Sequence, residues 1–229
     1  VYKRQEEDAL KLARTMVDIG NGLGRKTTAV ISDMNQPLGF AVGNNLEVKE
    51  AIETLKGNGP KDLLEICLEL GSHMVYFAEQ AESVEDARRK LIKTIEDGSA
   101  LEQLKTFVAA QGGDNTYVDD PSQFPVAEIV EEITLDGTGY VKSIETEEIG
   151  FASMMLGGGR ETKDSVLDLS VGFVVHKKVG DKVEQGESIA TVYANDRSKL
   201  DGAVKRYKDA YELTDQPVEK VKFIKDIIS

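Results

Sequence analysis

The sequence has no tryptophan, a single cysteine and only two histidines among its 229 residues. One cysteine, Cys67, excludes an internal disulfide, and the isolated His73 and His176 lack the cysteine or carboxylate neighbours that a zinc site needs. We interpret both histidines as structural or exposed. No apolar run approaches the roughly 20 residues that span a bilayer, and no signal peptide opens the chain. We therefore expect a cytoplasmic protein with no membrane partner.

The sequence is also poor in basic residues, with 28 Lys and Arg against 41 Asp and Glu and a formal net charge of −13. Binding to a phosphate backbone needs clustered Lys and Arg, so nucleic acid is not an expected partner. With 229 residues, 40% of them apolar, the chain can bury a real core and is large enough for two domains, or for most of one domain plus a smaller one. Cys67 lies on the apolar face of a predicted helix, which predicts a buried structural thiol rather than a nucleophile.

The order of predicted elements divides the chain into a helical part and a strand-rich part. A β-branched run predicts a first strand at residues 26–32, and Ser83 predicts a helix cap. Helical periodicity predicts helices over 45–56, 60–81, 84–96 and 101–110. A turn-rich stretch at 112–125 predicts a linker. Beyond it we predict strands over 127–134, 139–144, 168–176 and 187–193, a short helix over 147–156, and a helix from 195 onward whose last residues are amphipathic or extended.

The most informative segment is 36–60, QPLGFAVGNNLEVKEAIETLKGNGP, which combines a strand exit, a rigid turn and a helix entry. Pro37 fixes φ, whereas Gly39 and Gly43 permit backbone shapes that other residues resist. In open α/β sheets, ligands usually lie beyond the carboxyl end of a strand. Because the segment offers carbonyls and several carboxylates (Glu47, Glu50 and Glu53), it predicts a cation site more than a phosphate site.

Glu50 is the carboxylate in this segment that could either bind a cation or simply face solvent. Asn44 and Glu47 have the spacing of a capping box, so the helix is predicted to begin near Asn45. On a helical wheel, Glu50 lies opposite the apolar face. That face consists of Val48, Ala51, Ile52 and Leu55. Spacing alone therefore predicts that Glu50 is merely exposed to solvent.

A resemblance to a known family favours a cation-binding role for Glu50 over simple exposure to solvent. The segment VISDMNQPLGFAVGNNLEVKEAIETLKG, preceded by ALKLARTMVDIGNGLGRKT, resembles the central part of pyrimidine-nucleoside phosphorylases, a family that includes thymidine phosphorylases. The resemblance continues in LGSHMVYFAEQA, KTFVAAQGGD, MLGGGRETKDSVLDLSVGFVVHKKVGDKVEQGESIATVYAN and DQPVEKV. It implies an α/β fold class. Residues 1–120 would form part of the phosphorylase α/β domain, and residues 121–229 a C-terminal α+β domain of the barrel-sandwich, or hammerhead, type.

The resemblance also implies a potassium site. Bacterial members hold K⁺ through two backbone carbonyls and one glutamate of this turn and helix, together with main-chain groups of an earlier segment. By motif these positions fall on Leu38, Ala41 and Glu50. Leu38 and Ala41 have no side-chain ligand, so their carbonyl oxygens would coordinate, as suits a large cation such as K⁺.

The activity implied is that of a pentosyltransferase, with phosphate as co-substrate. Phosphate attacks C1′ of a pyrimidine nucleoside, and the products are the free base and a pentose 1-phosphate. The family's phosphate-binding and pyrimidine-binding residues correspond to positions before residue 1. We therefore expect the chain to be an inactive C-terminal fragment of a homodimeric enzyme, with no catalytic residue of its own. Val1–Gln5 have no family match and are expected to be a boundary artefact.

Three alternatives stay open at this stage. The sequence does not rank uridine against thymidine or deoxyuridine, so a thymidine phosphorylase proper is possible. The phrase VGDKVEQGESIATV resembles biotinyl and lipoyl carrier domains, but the place of their modified lysine is taken by YAND, and Lys199 is the next lysine. Anthranilate phosphoribosyltransferase shares the α/β core but lacks the segment 155–195. The glycines of Gly157–Arg160 follow a predicted helix and are interpreted as a helix stop rather than a phosphate loop.

Overall fold

The computed structural model describes residues 6–160 and 162–229. The prediction for Val1–Gln5 falls outside the described residues. The helices are α1 (Glu6–Gly22), α2 (Asn44–Leu55), α3 (Lys61–Phe77), α4 (Val84–Glu96), α5 (Ser99–Ala110), α6 (Thr116–Asp119), α7 (Thr146–Leu156) and α8 (Arg197–Asp209). The strands are β1 (Ala29–Ser32), β2 (Ala41–Val42), β3 (Ile129–Thr134), β4 (Gly139–Ile144), β5 (Gly172–Val175), β6 (Lys182–Val183), β7 (Ser188–Ala194), β8 (Tyr211–Thr214) and β9 (Ile224–Ile228).

Local signals fix the ends of several helices. Ser83 caps α4 as predicted, because its hydroxyl accepts a hydrogen bond from the Asp86 N–H at 3.1 Å. Pro60 is the N-cap of α3, one position before the first helical residue, Lys61, whereas the prediction places it in the first turn. Gly157 ends α7 in the left-handed conformation, with φ of 107°, so the predicted helix stop is confirmed. None of the helices within the described residues is long and apolar enough to cross a membrane.

The main apolar core lies in the C-terminal part, between two antiparallel sheets and the helices α7 and α8. One sheet has the strand order β2-β5-β7-β3 and the other has the order β6-β4-β8. Phe173 and Tyr207 are fully buried at the centre, with ring centroids 4.6 Å apart. This mixture of helices and sheets confirms the predicted α/β fold class, with an α+β C-terminal part.

The two parts of the chain are joined by strand pairing. Strand β2, which follows the turn after β1, adds to the edge of the C-terminal sheet by pairing with β5. Strand β9, at the end of the chain, pairs antiparallel with β1. Gly43 and Gly172 permit the close approach of β2 and β5, since a Cβ on Gly172 would lie 2.1 Å from the Val42 carbonyl oxygen. The division at residue 120 stays a prediction, and the parts on either side of it share the β1-β9 sheet and the β2-β5-β7-β3 sheet.

The prediction of a buried Cys67 is wrong. Cys67 is exposed, because the apolar face of α3 borders an open groove of about 350 Å³ instead of a closed core. Apolar neighbours around the thiol partly desolvate it and raise its pKa. A raised pKa means less thiolate at neutral pH, so the structure gives no support to a nucleophilic role either.

Candidate cation site

The turn that follows β1 is built from a glycine and two buried polar side chains. Gly39 has φ of 66°, which only glycine adopts without strain. Its N–H donates a hydrogen bond of 3.0 Å to Oδ2 of the buried Asp62, at the start of α3. The buried Gln36 accepts a hydrogen bond of 2.9 Å from the Val179 N–H, which lies in the C-terminal part. The turn is therefore held by α3 on one side and by the C-terminal part on the other.

Glu50 folds back from α2 onto this turn. Its Oε1 accepts hydrogen bonds from the Phe40 N–H at 2.8 Å and from the Ala41 N–H at 3.1 Å. A Cβ on Gly39 would lie 2.1 Å from Oε2, so that oxygen occupies space that only a glycine leaves open. The interpretation of Glu50 as a solvent-exposed helix residue is thus wrong. The helical wheel gave the direction of its Cβ, but the long side chain reaches around the helix to the turn.

The electrostatic surroundings of Glu50 are those of a partly buried carboxylate. Burial raises its pKa, while the Phe40 and Ala41 N–H groups and the ammonium of Lys178 lower it, and the carboxylate of Asp62 raises it. Burial has the largest effect, so the pKa of Glu50 lies above its usual value. A cation beside this carboxylate would favour its charged form.

The carbonyls of Ala41 and Leu38 are oriented by the peptide units to which they belong. Phe40 accepts a hydrogen bond of 2.7 Å from the Val175 N–H, so Phe40 occupies a hydrogen-bonded position opposite β5. Its neighbour Ala41 therefore directs its N–H and C=O away from β5, and the N–H donates to Glu50 Oε1. In the part of the chain that the structure describes, no hydrogen bond reaches the Leu38 carbonyl.

The start of α2 corrects the predicted capping box. The helix begins at Asn44, and Glu47 does reach back, but to the Gly43 N–H at 3.0 Å. The Asn44 side chain does not cap the helix. Its amide nitrogen donates a hydrogen bond of 2.9 Å to the Gly158 carbonyl oxygen. Asn44 thus lies inside the helix and ties α2, which carries Glu50, to the turn after α7.

The predicted set of Leu38, Ala41 and Glu50 would offer a cation two backbone carbonyl oxygens and one carboxylate, and this set stays a prediction. Glu50 adjoins Ala41 through Oε1 and adjoins Gly39, which shares a peptide unit with Leu38, through Oε2. Within residues 6–160 and 162–229, no group of three or more His, Cys, Asp or Glu side chains could hold a metal ion. A cation at this turn would therefore be bound by carbonyl oxygens and one carboxylate, a donor set that suits K⁺.

Two residues at this turn were missed by sequence reasoning. Asp62 looks like an ordinary acidic residue in the first turn of a helix, and Lys178 like one lysine in a charged loop. In the structure they form a buried ion pair, with the Lys178 ammonium on Asp62 Oδ2. They are 116 residues apart, and no local pattern links residues at that separation.

Comparisons with known proteins place these features in a family. A model described as "Glycosyl transferase family, a/b domain" matches residues 3–101, and one described as "Pyrimidine nucleoside phosphorylase C-terminal domain" matches residues 140–214. A pyrimidine-nucleoside phosphorylase from Geobacillus stearothermophilus is 53% identical over 228 residues, which is 100% of this chain and 52% of the relative. The chain belongs to the pyrimidine-nucleoside phosphorylase family. The predicted membership is thereby confirmed.

Two further relatives that carry the name pyrimidine-nucleoside phosphorylase support the same family. The protein from Staphylococcus aureus strain bovine RF122 / ET3-1 is 52% identical over 217 residues, covering 95% of this chain and 50% of the relative. That from strain MSSA476 is 51% identical over 227 residues, covering 99% of this chain and 52% of the relative. The chain spans about half the length of the curated relatives it matches. The turn at residues 36–41, called the cation turn below for the cation proposed there, lies in the region matched by the glycosyl transferase model, and Lys178 lies in the region matched by the C-terminal model.

Proposed function

We propose that the intact protein containing this chain is a pentosyltransferase that cleaves pyrimidine nucleosides with phosphate. A phosphate oxygen forms a bond to C1′ of uridine, thymidine or deoxyuridine, and the C1′–N bond breaks. The bonding electrons leave with the base, which takes up a proton, and the products are the free base and a (deoxy)ribose 1-phosphate. The observation that carries this proposal is the 53% identity over the full length of the chain to a relative named for that activity.

This reaction depends on positioning and charge stabilisation rather than on a covalent enzyme intermediate. The family resemblance assigns the groups that contact phosphate and base to positions outside these 229 residues. We therefore propose that the chain contributes the cation turn and the C-terminal part, and that by itself it does not cleave nucleosides. The substrates are small molecules, and we propose a homodimer that works in the cytoplasm.

We also propose that the turn binds K⁺ through the carbonyls of Leu38 and Ala41 and the carboxylate of Glu50. When bound, K⁺ supplies the positive charge that the half-buried Glu50 lacks. Support comes from the Glu50 side chain, which already contacts the turn through Phe40 and Ala41. With its Oε1 fixed by these two N–H groups, Glu50 keeps the turn and α2 in one relative position.

The test is an assay of base release from uridine by the intact purified protein, with and without phosphate and with K⁺ or choline as the cation. We expect release to require phosphate and to rise with K⁺. Glu50→Gln should abolish the response to K⁺. Glu53→Gln is the matched control, because Glu53 lies on the same helix but pairs with Lys56 at the surface, and it should respond as the wild type does.

Each outcome separates the parts of the proposal. Base release without phosphate would indicate hydrolysis and would contradict phosphorolysis. Cleavage of thymidine and deoxyuridine but not uridine would favour a thymidine phosphorylase proper. An unchanged K⁺ response in Glu50→Gln would remove Glu50 from the cation site while leaving the reaction standing. The carrier alternative is not favoured, because the residues that follow β7 offer no lysine before Lys199.

A further inference from the structure

The ion pair between Asp62 and Lys178 is the most buried charged contact at the junction of the two parts of the chain. The exposed fraction of the side chain is 5% for Asp62 and 11% for Lys178. The Lys178 ammonium also lies over the ring of Phe40, 4.8 Å from its centroid, and 5.9 Å from that of Phe223. Taking two charges out of water costs about as much as their attraction returns, so such a pair contributes little net stability. The main effect of the pair is on the geometry of the backbone turn that Asp62 contacts.

Asp62 uses the same oxygen, Oδ2, to contact Lys178 and to accept the Gly39 N–H. The Gly39 N–H and the Leu38 C=O belong to one planar trans peptide unit, in which they point in opposite directions. A hydrogen bond that fixes the Gly39 N–H on Asp62 therefore fixes the Leu38 carbonyl on the other side. The negative charge of Asp62 also polarises this peptide unit, which increases the negative charge on the Leu38 oxygen.

Strand β5 and the loop after it thus hold the cation turn at two points. At one point, Phe40 and Ala41 are placed by pairing with β5. At the other, Lys178 lies three residues beyond the end of β5 and holds Asp62, which in turn holds Gly39. The carbonyls of Ala41 and Leu38 are therefore both oriented by the same element of the C-terminal part.

We propose that Asp62 and Lys178 are positioning residues of the cation site, through which the C-terminal part sets the orientation and charge of the Leu38 carbonyl and so the affinity for K⁺. The inference rests on the K⁺ site proposed above. Neither residue touches the cation. Asp62 acts through the Leu38–Gly39 peptide, Lys178 acts by holding Asp62, and the charges of both also act on Glu50 through space.

The test measures K⁺ binding through the thermal unfolding of the intact protein. K⁺ replaces choline at constant ionic strength, and the dissociation constant for K⁺, which is the half-saturating K⁺ concentration, is fitted from the rise in Tm with K⁺ concentration. Asp62→Asn keeps the shape and an acceptor for Gly39 but removes the charge. We expect it to raise the half-saturating K⁺ concentration about tenfold, because hydrogen bonds to charged groups are stronger than those to neutral ones.

Two further variants keep the test decisive. Asp62→Asn combined with Lys178→Gln leaves no unpaired buried charge, so it should fold even if the single variant does not, and it should still require at least about threefold more K⁺. Lys177→Gln is the matched control. Lys177 is the adjacent lysine, and its ammonium contacts Glu187 and the Lys182 carbonyl within the C-terminal part. Its half-saturating K⁺ concentration should equal that of the wild type.

The outcomes distinguish this inference from the function on which it rests. If both Asp62 variants lower Tm in choline but keep the wild-type half-saturating K⁺ concentration, the pair only joins the two parts and the inference is wrong. If Lys177→Gln raises that concentration as much as Asp62→Asn does, the effect is not specific to the pair, and the inference is equally wrong. If the wild type itself shows no rise in Tm with K⁺, the proposed K⁺ site fails and the inference fails with it.

Discussion

Replacing Gly39 by alanine perturbs the turn and Glu50 together, and its cost can be worked out from the structure. The left-handed conformation at φ of 66° costs a residue with a side chain about 1–2 kcal/mol. The new Cβ would also lie 2.1 Å from Glu50 Oε2, so the carboxylate must move and weaken its hydrogen bonds to Phe40 and Ala41. A hydrogen bond to a charged group contributes about 1.5–3 kcal/mol to the free energy of unfolding. With a weakening of the two bonds equal to the loss of one, we expect Gly39→Ala to lower the free energy of unfolding by about 2.5–5 kcal/mol in total.

The assay is urea unfolding of the intact protein, with Gly98→Ala as the matched control. Gly98 has φ of 78° and open space where a Cβ would lie, so its substitution measures backbone strain alone, about 1–2 kcal/mol. In a Glu50→Ala background, Gly39→Ala should cost no more than this control, because the carboxylate that it displaces is gone. If Gly39→Ala costs the same as Gly98→Ala in the wild-type background, Glu50 does not occupy the turn as described.

Three further predictions concern other parts of the chain. Burial raises the pKa of Tyr211 to about 12, so the folded protein keeps a proton that the unfolded chain loses near pH 10. The resulting stability is present below about pH 10 and is lost between pH 10 and 12. In unfolding titrations, Tyr211→Phe should reduce the loss of unfolding free energy between these pH values by about 2–3 kcal/mol. An unchanged loss would contradict the burial of Tyr211. Cys67 should react with iodoacetamide at pH 7.5 more slowly than glutathione, because apolar neighbours raise its pKa; a faster reaction would indicate an activated thiol. The intact mass should show no biotin or lipoate, and a mass increase on Lys199 would revive the carrier interpretation.

The elements that the sequence predicts best are those with strong local signals. Helix α4 runs over Val84–Glu96 as predicted, because Ser83 caps it and its apolar positions repeat with a helical period. Strand β4 occupies Gly139–Ile144 as predicted, directly after the turn at 135–138. Strand β2 was missed because two residues are too few to show a period of two, and its existence depends on β5, more than 100 residues away.

The candidate site was predictable only in part, and for a physical reason. The family resemblance points to Leu38, Ala41 and Glu50, and the glycine at position 39 indicates a special turn. The helical wheel misplaces Glu50 because periodicity describes where a side chain starts and not where a long side chain ends. Asp62 and Lys178 could not be found at all, since their contact arises only when the C-terminal part packs against α3.

The most direct test of the account is to grow crystals of the intact protein in Rb⁺, which replaces K⁺ and gives an anomalous signal. We predict a peak within coordination distance of the Leu38 and Ala41 carbonyl oxygens and Glu50 Oε2, and its loss in Glu50→Gln. A clear anomalous map at full Rb⁺ concentration with no peak at this turn, or with a peak that persists in Glu50→Gln, would contradict the account.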